Sequence, residues 1–331
     1  MSGLNQKKSG TKAAGTDLFT GLLEKYPFII NDGAFSTELE ARGCDINDEL
    51  WSAKILYEDP AKVKEVHLSY YEAGADISTS GSYQASVPGF MKKGFSEEES
   101  RRLIVLSMQL LKEARDEYLE AHPGRKGELI AAAAVGPYGA YLANGAEYTG
   151  DYGHSEGERQ AIRRFHEERM ALLKEGGADV FVCETLPCLW EAEIEAETAE
   201  KLNLAAWVSF SCRDGEHISD GTPIAECAKS LLKYDNVIAV GVNCTHPRYI
   251  SSLIREIRGA IGDALPVIVY PNGGEEYDPV TKMWSGKYAA GNFKGLAREW
   301  YDAGARILGG CCRTTPGDIR ELAALRREMT G

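Results

Sequence analysis

The stretch Glu72-Ala73-Gly74-Ala75-Asp76 joins an amphipathic segment to a short apolar run. Close copies occur twice more, as Glu175-Gly176-Gly177-Ala178-Asp179 and Asp302-Ala303-Gly304-Ala305-Arg306. A glycine at this position supplies the left-handed turn that ends a helix, and the small alanine lets the chain pass beneath a sheet. The three copies predict one recurring helix-to-strand connection. They favour a single repeated architecture over two unrelated domains.

Eight short apolar segments are predicted to be strands, at residues 28–30, 76–79, 129–135, 180–183, 206–210, 237–242, 266–270 and 306–308. They are continuously apolar rather than alternating, as expected when both faces of a parallel sheet are covered. Amphipathic helical stretches lie between them. Eight such units in about 300 residues predict an α/β fold, a single (β/α)₈ TIM barrel with its active site at the carboxyl ends of the strands. A doubly wound open sheet is the alternative, but no Gly-x-Gly-x-x-Gly follows the first strand.

The composition limits the classes of partner and compartment. The chain has 331 residues and a formal net charge of −13, which argues against nucleic acid or an anionic membrane as the main partner. Residues 1–17 are polar and lack the apolar run of a signal peptide, so we expect a flexible tail followed by the barrel domain at 18–331. No run of 18 apolar residues is present, so no membrane span is expected. A cytoplasmic protein with reduced thiols is predicted, and the composition assigns no oligomeric state.

Three cysteines follow predicted strands. Cys244 comes after the strand at 237–242, and Cys311 and Cys312 follow the last strand directly after two glycines. In a barrel these strand ends lie close enough at the mouth for three thiols to converge. Three thiolates form a soft ligand set that favours zinc and leaves one tetrahedral position open. A cysteine can also be simply a small buried apolar residue, and this is the interpretation preferred for Cys227.

Several motifs resemble the homocysteine S-methyltransferase family, and the similarity is collinear from about residue 29 to residue 319. They are Asp32-Gly33-Ala34-Phe35-Ser36-Thr37-Glu38-Leu39, Tyr83-Gln84-Ala85-Ser86, Glu184-Thr185, Gly241-Val242-Asn243-Cys244-Thr245, Tyr270-Pro271-Asn272 and Gly309-Gly310-Cys311-Cys312-Arg313-Thr314-Thr315-Pro316. The resemblance implies a (β/α)₈ barrel, zinc held by Cys244, Cys311 and Cys312, and homocysteine as methyl acceptor. A single-barrel chain is most similar to the branch that uses S-methylmethionine or S-adenosylmethionine. The betaine-using and cobalamin-dependent enzymes are relatives with the same barrel.

The resemblance also implies roles for other residues. It assigns Asp32 and Glu184 to the ammonium group of homocysteine, and backbone N–H groups near Gly33 to its carboxylate. Trp51 and Tyr83 match aromatic positions on the donor side of the betaine-using relatives, where ring faces suit a cation.

Further residues near the predicted strand ends are candidates for the donor side or for bracing loops. Asn243 is grouped with the substrate-binding residues, and with Asn272 it is expected to brace the strand-end loops. His246 is expected to have a loop role rather than to be a fourth metal ligand. Three tyrosines of the loop after the third strand are additional donor-side candidates: Tyr138, Tyr141 and Tyr148.

The predicted reaction is the zinc-dependent transfer of a methyl group from a sulfonium donor to the thiolate of homocysteine, giving methionine. A thiol with a pKa of about 8.5 is a poor nucleophile while protonated, and zinc coordination removes its proton at neutral pH. S-Methylmethionine is the first choice of donor and S-adenosylmethionine the second. The same barrel could instead use betaine or accept selenocysteine or selenohomocysteine.

Two function classes remain as alternatives to methyl transfer. A zinc hydrolase would need histidine ligands at the strand ends and a carboxylate base. The histidines other than His246 form no such set: His67, His122, His154, His166 and His217. The other alternative is a non-catalytic metal-binding barrel.

Overall fold

The computed structural model describes residues 13–125, 127–274, 276–278, 283–285 and 292–331. Its strands are β1 Ile29–Ile30, β2 Ile77–Thr79, β3 Ile130–Val135, β4 Val180–Leu186, β5 Ala206–Phe210, β6 Val237–Asn243, β7 Val267–Tyr270, β8 Glu276–Asp278, β9 Met283–Ser285 and β10 Ala305–Leu308. Its α-helices are α1 Leu18–Leu23, α2 Phe35–Ala41, α3 Ile55–Glu58, α4 Pro60–Ala73, α5 Val87–Lys92, α6 Glu97–Ala121, α7 Tyr138–Leu142, α8 Glu156–Glu175, α9 Leu189–Lys201, α10 Ile224–Leu231, α11 Pro247–Ile261, α12 Phe293–Ala303 and α13 Pro316–Thr330. Two 3₁₀ turns cover Trp51–Lys54 and Ala146–Tyr148.

Eight parallel strands form the barrel, in the order β1-β10-β7-β6-β5-β4-β3-β2. All eight predicted strands are present, and the predicted (β/α)₈ TIM barrel is confirmed. The strand β4 runs to Leu186, beyond its predicted end at 183, so Glu184 and Thr185 lie within the last residues of the strand rather than after it. An antiparallel hairpin of β8 and β9, which the sequence did not predict, is inserted after β7.

The repeated helix-to-strand connection has the predicted backbone. Gly74, Gly177 and Gly304 all have positive φ, at 105°, 92° and 121°. This is the left-handed region that a side chain disfavours. Gly74 and Gly304 directly follow the last residues of α4 and α12, whereas α8 ends one residue earlier and Gly176 precedes Gly177.

Two aspartates hold the seam between β1 and β2. At the amino end of β2, Asp76 accepts a hydrogen bond from Ile30 N (2.9 Å) and donates its own N–H to Ile30 O (2.8 Å). At the carboxyl end of β2, the Asp32 carboxylate accepts hydrogen bonds from Thr79 N (2.7 Å) and Ser78 Oγ (2.9 Å). Because side chains complete this seam, Asp32 is held firmly at the carboxyl end of the first strand.

The hydrophobic core has two concentric layers, one inside the barrel and one between the strands and the surrounding helices. Alternate strand residues fill the interior, among them Ile130, Val182, Trp207 and Ile307, while the outward residues pack against the helices. The short helix α1 lies against the interior layer, with the Phe19 ring 5.8 Å from the Trp207 ring. In the described part of the chain, no helix combines the length and the apolar composition that a bilayer crossing needs.

Part of the predicted tail is described. Ala14 forms a parallel bridge with Leu204, and Ala205 N donates to Ala14 O at 2.8 Å. Residues 1–12 lie outside the described residues. The division of the chain at residue 18 stays a prediction.

Candidate active site

A cavity lies at the carboxyl ends of the barrel strands. Eight of the nine predicted site residues line it: Asp32, Gly33, Trp51, Tyr83, Glu184, Cys244, Cys311 and Cys312. The ninth, Asn243, is not among the described residues that line it. Tertiary folding thus brings together residues as far apart in the chain as Asp32 and Cys312, and a nearby hydrogen bond from Ala34 N to Thr314 Oγ1 spans 280 residues.

Three sulfur atoms form a cluster at one side of the cavity. The Sγ atom of Cys312 lies 3.7 Å from that of Cys244 and 4.0 Å from that of Cys311. All three Sγ atoms lie within 4.8 Å of one another. The geometry therefore brings the three predicted ligands together as a group that could hold a metal ion.

The backbone around these cysteines is tightly packed. A Cβ atom on Gly310 would lie 2.2 Å from Thr314 Oγ1, and one on Gly309 would lie 2.7 Å from Asn31 Cβ. Only glycine fits at either position without displacing its neighbours, which explains the two glycines before the cysteine pair. Cys244 has a φ of 48°, a conformation that is uncommon for a residue with a side chain.

The thiols share charge unequally. Hydrogen bonds from Cys311 and Cys312, with a further one from the Tyr148 hydroxyl, hold the pKa of Cys244 well below its ordinary value. The same contact with Cys244 raises the pKa of Cys311 and that of Cys312 well above it. These directions favour negative charge on Cys244 over Cys311 and Cys312. Three thiolates together need a cation to balance their charge.

Three buried carboxyl groups face the same cavity. Burial raises the pKa of Asp32 to about 7 and that of Glu147 to about 7. The pKa of Glu184 is raised well above its usual range by burial and then by the nearby charges of Cys311 and Asp32. Among the described residues that line the cavity there is no Lys, Arg or His. The cavity is therefore built to receive positive charge.

The aromatic candidates divide into two groups. Trp51, Tyr83 and Tyr148 line the cavity, and the Tyr148 hydroxyl lies 3.2 Å from Cys244 Sγ. Tyr138 and Tyr141 are absent from the described lining residues. They pack instead against the Phe165 ring, at 5.1 Å and 5.2 Å. The expectation that these two tyrosines face the donor is wrong, because α7 turns them toward α8.

Asn243 is a buried brace rather than a wall of the cavity. Its Oδ1 accepts from Thr185 N at 2.7 Å, and its Nδ2 donates to Thr185 Oγ1 at 2.8 Å. Thr185 has a φ of 59°, which is a strained value for a β-branched residue. Both groups of its amide bind the strand end beside Glu184, and the substrate contact predicted for Asn243 stays a prediction.

The neighbouring strand-end residues support the loops around the sulfur cluster. His246 is the N-cap of α11 and accepts a hydrogen bond from Arg248 N at 3.2 Å. Asn272 Oδ1 accepts from Gly274 N at 3.0 Å. These contacts agree with the expected bracing roles.

A second group of potential ligands lies outside the cavity. His166, Glu191 and Glu195 are fully buried, with ligand atoms within 4.8 Å of one another. Glu191 accepts hydrogen bonds from Tyr138 N (2.7 Å), from the Tyr152 hydroxyl and from His166 Nε2 (2.9 Å). This cluster fastens both ends of the loop between β3 and α8.

Comparison with known proteins identifies the family of this barrel. Residues 29–325 match the family model described as homocysteine S-methyltransferase. The chain belongs to the homocysteine S-methyltransferase family. It is 49% identical over 311 residues to homocysteine S-methyltransferase YbgG of Bacillus subtilis, covering 93% of this chain and 97% of the relative. It is 42% identical over 312 residues to a selenocysteine Se-methyltransferase of Brassica oleracea, covering 91% and 89% of the two chains.

A solved structure of the family has the same fold. The metallated form of the homocysteine methyltransferase MmuM from Escherichia coli superimposes with a TM-score of 0.82 at 43% identity, covering 92% of this chain and 98% of that chain. Membership of the family makes this protein a methyltransferase. The resemblance seen in the sequence motifs is confirmed.

Two features of the site were missed in the sequence. Glu147 was not singled out, and Tyr148 was considered only for the donor side, although its hydroxyl contacts Cys244. Both residues lie in a 3₁₀ turn of the β3–α8 loop. Three tyrosines of this loop were donor-side candidates, but no local pattern specifies which of its side chains face the cavity.

Proposed function

We propose that this protein transfers a methyl group from a sulfonium donor to the thiol of homocysteine, giving methionine. S-Methylmethionine is the first proposed donor and S-adenosylmethionine the second. The observation that carries the proposal is the cluster of three cysteine sulfurs beside buried carboxyl groups and aromatic rings in a cavity without basic residues among its described lining. An amino-acid thiol, a cationic donor and a metal ion all suit such a cavity.

Two of the sulfur–sulfur separations in the cluster support a zinc site. A tetrahedral zinc ion with Zn–S bonds of about 2.3 Å separates its sulfur ligands by about 3.8 Å. The separations from Cys312 Sγ are 3.7 Å to Cys244 and 4.0 Å to Cys311. We propose that these residues hold zinc and leave a fourth position open. When bound, zinc lowers the pKa of a coordinated substrate thiol so that it is a thiolate at neutral pH.

The acceptor side is assigned to Asp32 and Glu184. Asp32 Oδ2 already accepts from Ser78 and Thr79, whereas Oδ1 accepts from Thr79 Oγ1 at 3.0 Å and retains a further lone pair. Glu184 is buried nearby, and the charges of Asp32 and Cys311 both act on it. An ammonium group held between these carboxylates would keep both ionised despite their burial. We assign the substrate carboxylate to backbone N–H groups near Gly33.

The reaction requires little proton transfer by the protein. Displacement at a sulfonium methyl group releases a neutral thioether, so no general acid is required. The main task of the protein is to hold two sulfur atoms in line on either side of one methyl carbon. The rings of Trp51, Tyr83 and Tyr148 line the cavity, and we propose that they surround the sulfonium group, because ring faces attract cations without requiring a hydrogen bond.

A selenium acceptor is the alternative within this reaction class. The relative named as a selenocysteine Se-methyltransferase carries the supporting observation, since a selenolate is a soft ligand that suits the same site. We further propose a reducing, cytoplasmic location, because metal binding by Cys244, Cys311 and Cys312 requires that their thiols stay reduced.

The test is an assay of methionine formation from homocysteine with S-methylmethionine, S-adenosylmethionine or betaine, with and without a chelator. We expect turnover with a sulfonium donor and its loss with the chelator. The Cys311→Ser variant should lose both bound zinc and activity. The control is Cys44→Ser, because Cys44 is partly exposed and outside the cavity lining. Full zinc content and full turnover in Cys311→Ser would refute the metal assignment, and absence of turnover with every donor would refute the function.

A further inference from the structure

Glu147 is a cavity carboxylate that the reaction described above leaves without a role. Its Oε2 atom is buried and has no hydrogen-bond partner among the residues that the structure describes. A buried carboxylate oxygen without a donor is costly. Such an atom in the wall of a ligand cavity is placed to accept an N–H or O–H from a bound ligand.

The chain holds Glu147 in position from several sides. Its carbonyl oxygen accepts a hydrogen bond from Ser211 Oγ at 3.1 Å, which ties the turn to the end of β5. A Cβ atom on Gly139 would lie 2.6 Å from Glu147 N, so α7 packs closely on this turn. Glu191 fastens the loop at Tyr138 and Tyr152, on either side of Glu147. The carboxyl group is therefore presented by a rigid loop.

The carboxyl group of Glu147 is electrostatically separate from those of Asp32 and Glu184, which are assigned to the homocysteine ammonium group. The charges of Asp32 and Cys311 act on Glu184, which groups these three residues together. Burial is the main influence on the pKa of Glu147. The pKa of Tyr83, a ring assigned to the donor side, is raised by burial, then by the charges of Glu147 and Cys244, and least by that of Glu184. Glu147 thus lies near the Tyr83 ring and directly precedes Tyr148 in the chain, and both of these tyrosines line the cavity.

We propose that Glu147 binds the ammonium group of an amino-acid methyl donor. This inference rests on the proposed function and adds to it a residue that distinguishes donors. Betaine carries a quaternary ammonium group without N–H, so it cannot supply the hydrogen that Oε2 lacks. S-Methylmethionine and S-adenosylmethionine both can.

The chemistry of methyl transfer favours the ammonium group over the sulfonium as the partner of Glu147. A sulfonium has no N–H to donate, and its positive charge disappears as the methyl group leaves. A carboxylate paired with it would stabilise the ground state more than the transition state and slow the reaction. The ammonium charge persists throughout, so pairing there strengthens donor binding without opposing transfer.

The experiment measures donor binding by calorimetry on the zinc-loaded protein without homocysteine, so that no turnover occurs. We expect Glu147→Gln to weaken S-methylmethionine binding about 10-fold to 100-fold. Glu147→Asp, which keeps the charge but shortens the side chain, should give an intermediate loss. The deamino analogue of S-methylmethionine, with hydrogen in place of the amino group, should bind the wild type and Glu147→Gln equally. The control Asp151→Asn lies in the same loop with its side chain 83% exposed and should bind like the wild type.

Three results would overturn the inference. An unchanged affinity of Glu147→Gln for S-methylmethionine would remove any donor role. An equal loss of affinity for the deamino analogue would indicate that Glu147 interacts with the sulfonium group instead. A loss of homocysteine affinity instead, measured by the same calorimetry on the zinc-loaded protein without donor, would assign Glu147 to the acceptor side. Methionine formation by the wild type is measured separately, so these results are distinguishable from a failure of the proposed function.

Discussion

The substitution Asp32→Asn tests whether this buried carboxylate binds the ammonium group of homocysteine. The amide can keep one oxygen toward Ser78 Oγ and Thr79 N, which now donate to Oδ2 at 2.9 Å and 2.7 Å. The seam of the barrel should therefore stay closed while the negative charge is lost. A hydrogen bond to a charged group is worth about 1.5–3 kcal/mol. We expect kcat/KM for homocysteine to fall roughly 10-fold to 150-fold, with the KM of the donor unchanged.

The Asp32→Asn substitution should also remove the destabilising effect of burying an ionised carboxylate. Burial raises the pKa of the Asp32 carboxyl from its ordinary value of 3.8 to about 7 in the folded protein. Between about pH 4 and pH 7 the folded protein retains a proton that the unfolded chain has lost, so the stability contribution falls as pH rises through this window. Above pH 7 the difference reaches at most about 4 kcal/mol. The metal-free Asp32→Asn protein should gain in Tm, relative to the metal-free wild type, as the pH increases from about 5 to about 8.

Steady-state kinetics with each substrate varied, together with thermal unfolding at several pH values, measure these effects. The matched control is Asp76→Asn at the opposite end of the same seam. Asp76 is also buried, but it pairs with Arg125 and Arg326 and lies away from the cavity. This control should lower Tm, with a loss of about 3 kcal/mol in the free energy of unfolding, and leave the homocysteine KM unaltered. An unchanged homocysteine KM in Asp32→Asn would refute the assigned role.

Three further substitutions test the framework of the site. Tyr148→Phe removes the hydroxyl 3.2 Å from Cys244 Sγ, so zinc affinity, measured by chelator competition, should fall about 10-fold to 100-fold. Asn243→Ala leaves buried groups unpaired; denaturant unfolding should show a loss of about 2–4 kcal/mol, and wild-type stability would contradict the brace. Gly241→Ala would put Cβ 1.7 Å from Ile268 O. This protein should fail to accumulate in soluble form, and a normal yield would contradict the packing.

The barrel itself was predictable because its signals are local. Continuous apolar runs, amphipathic helices and the turn at Gly74, Gly177 and Gly304 each depend on a few adjacent residues. Strand ends were less predictable, as the extension of β4 to Leu186 shows. Pairing with β5 at this end decides how far the strand continues, and that pairing depends on residues distant in the chain.

Local patterns in the chain were enough to establish the order of strands and helices, and the barrel rule then put Cys244 near Cys311 and Cys312 at one face. Which loop side chains point into the cavity was settled by long-range packing. That packing places Tyr138 against Phe165 and pairs Asn243 with Thr185. It also brings Glu147 and Tyr148 to the wall of the cavity. The two cases differ because a strand end is positioned by the repeated sheet geometry, whereas a loop side chain is oriented by contacts from several different elements. Such contacts leave no periodic pattern in the chain.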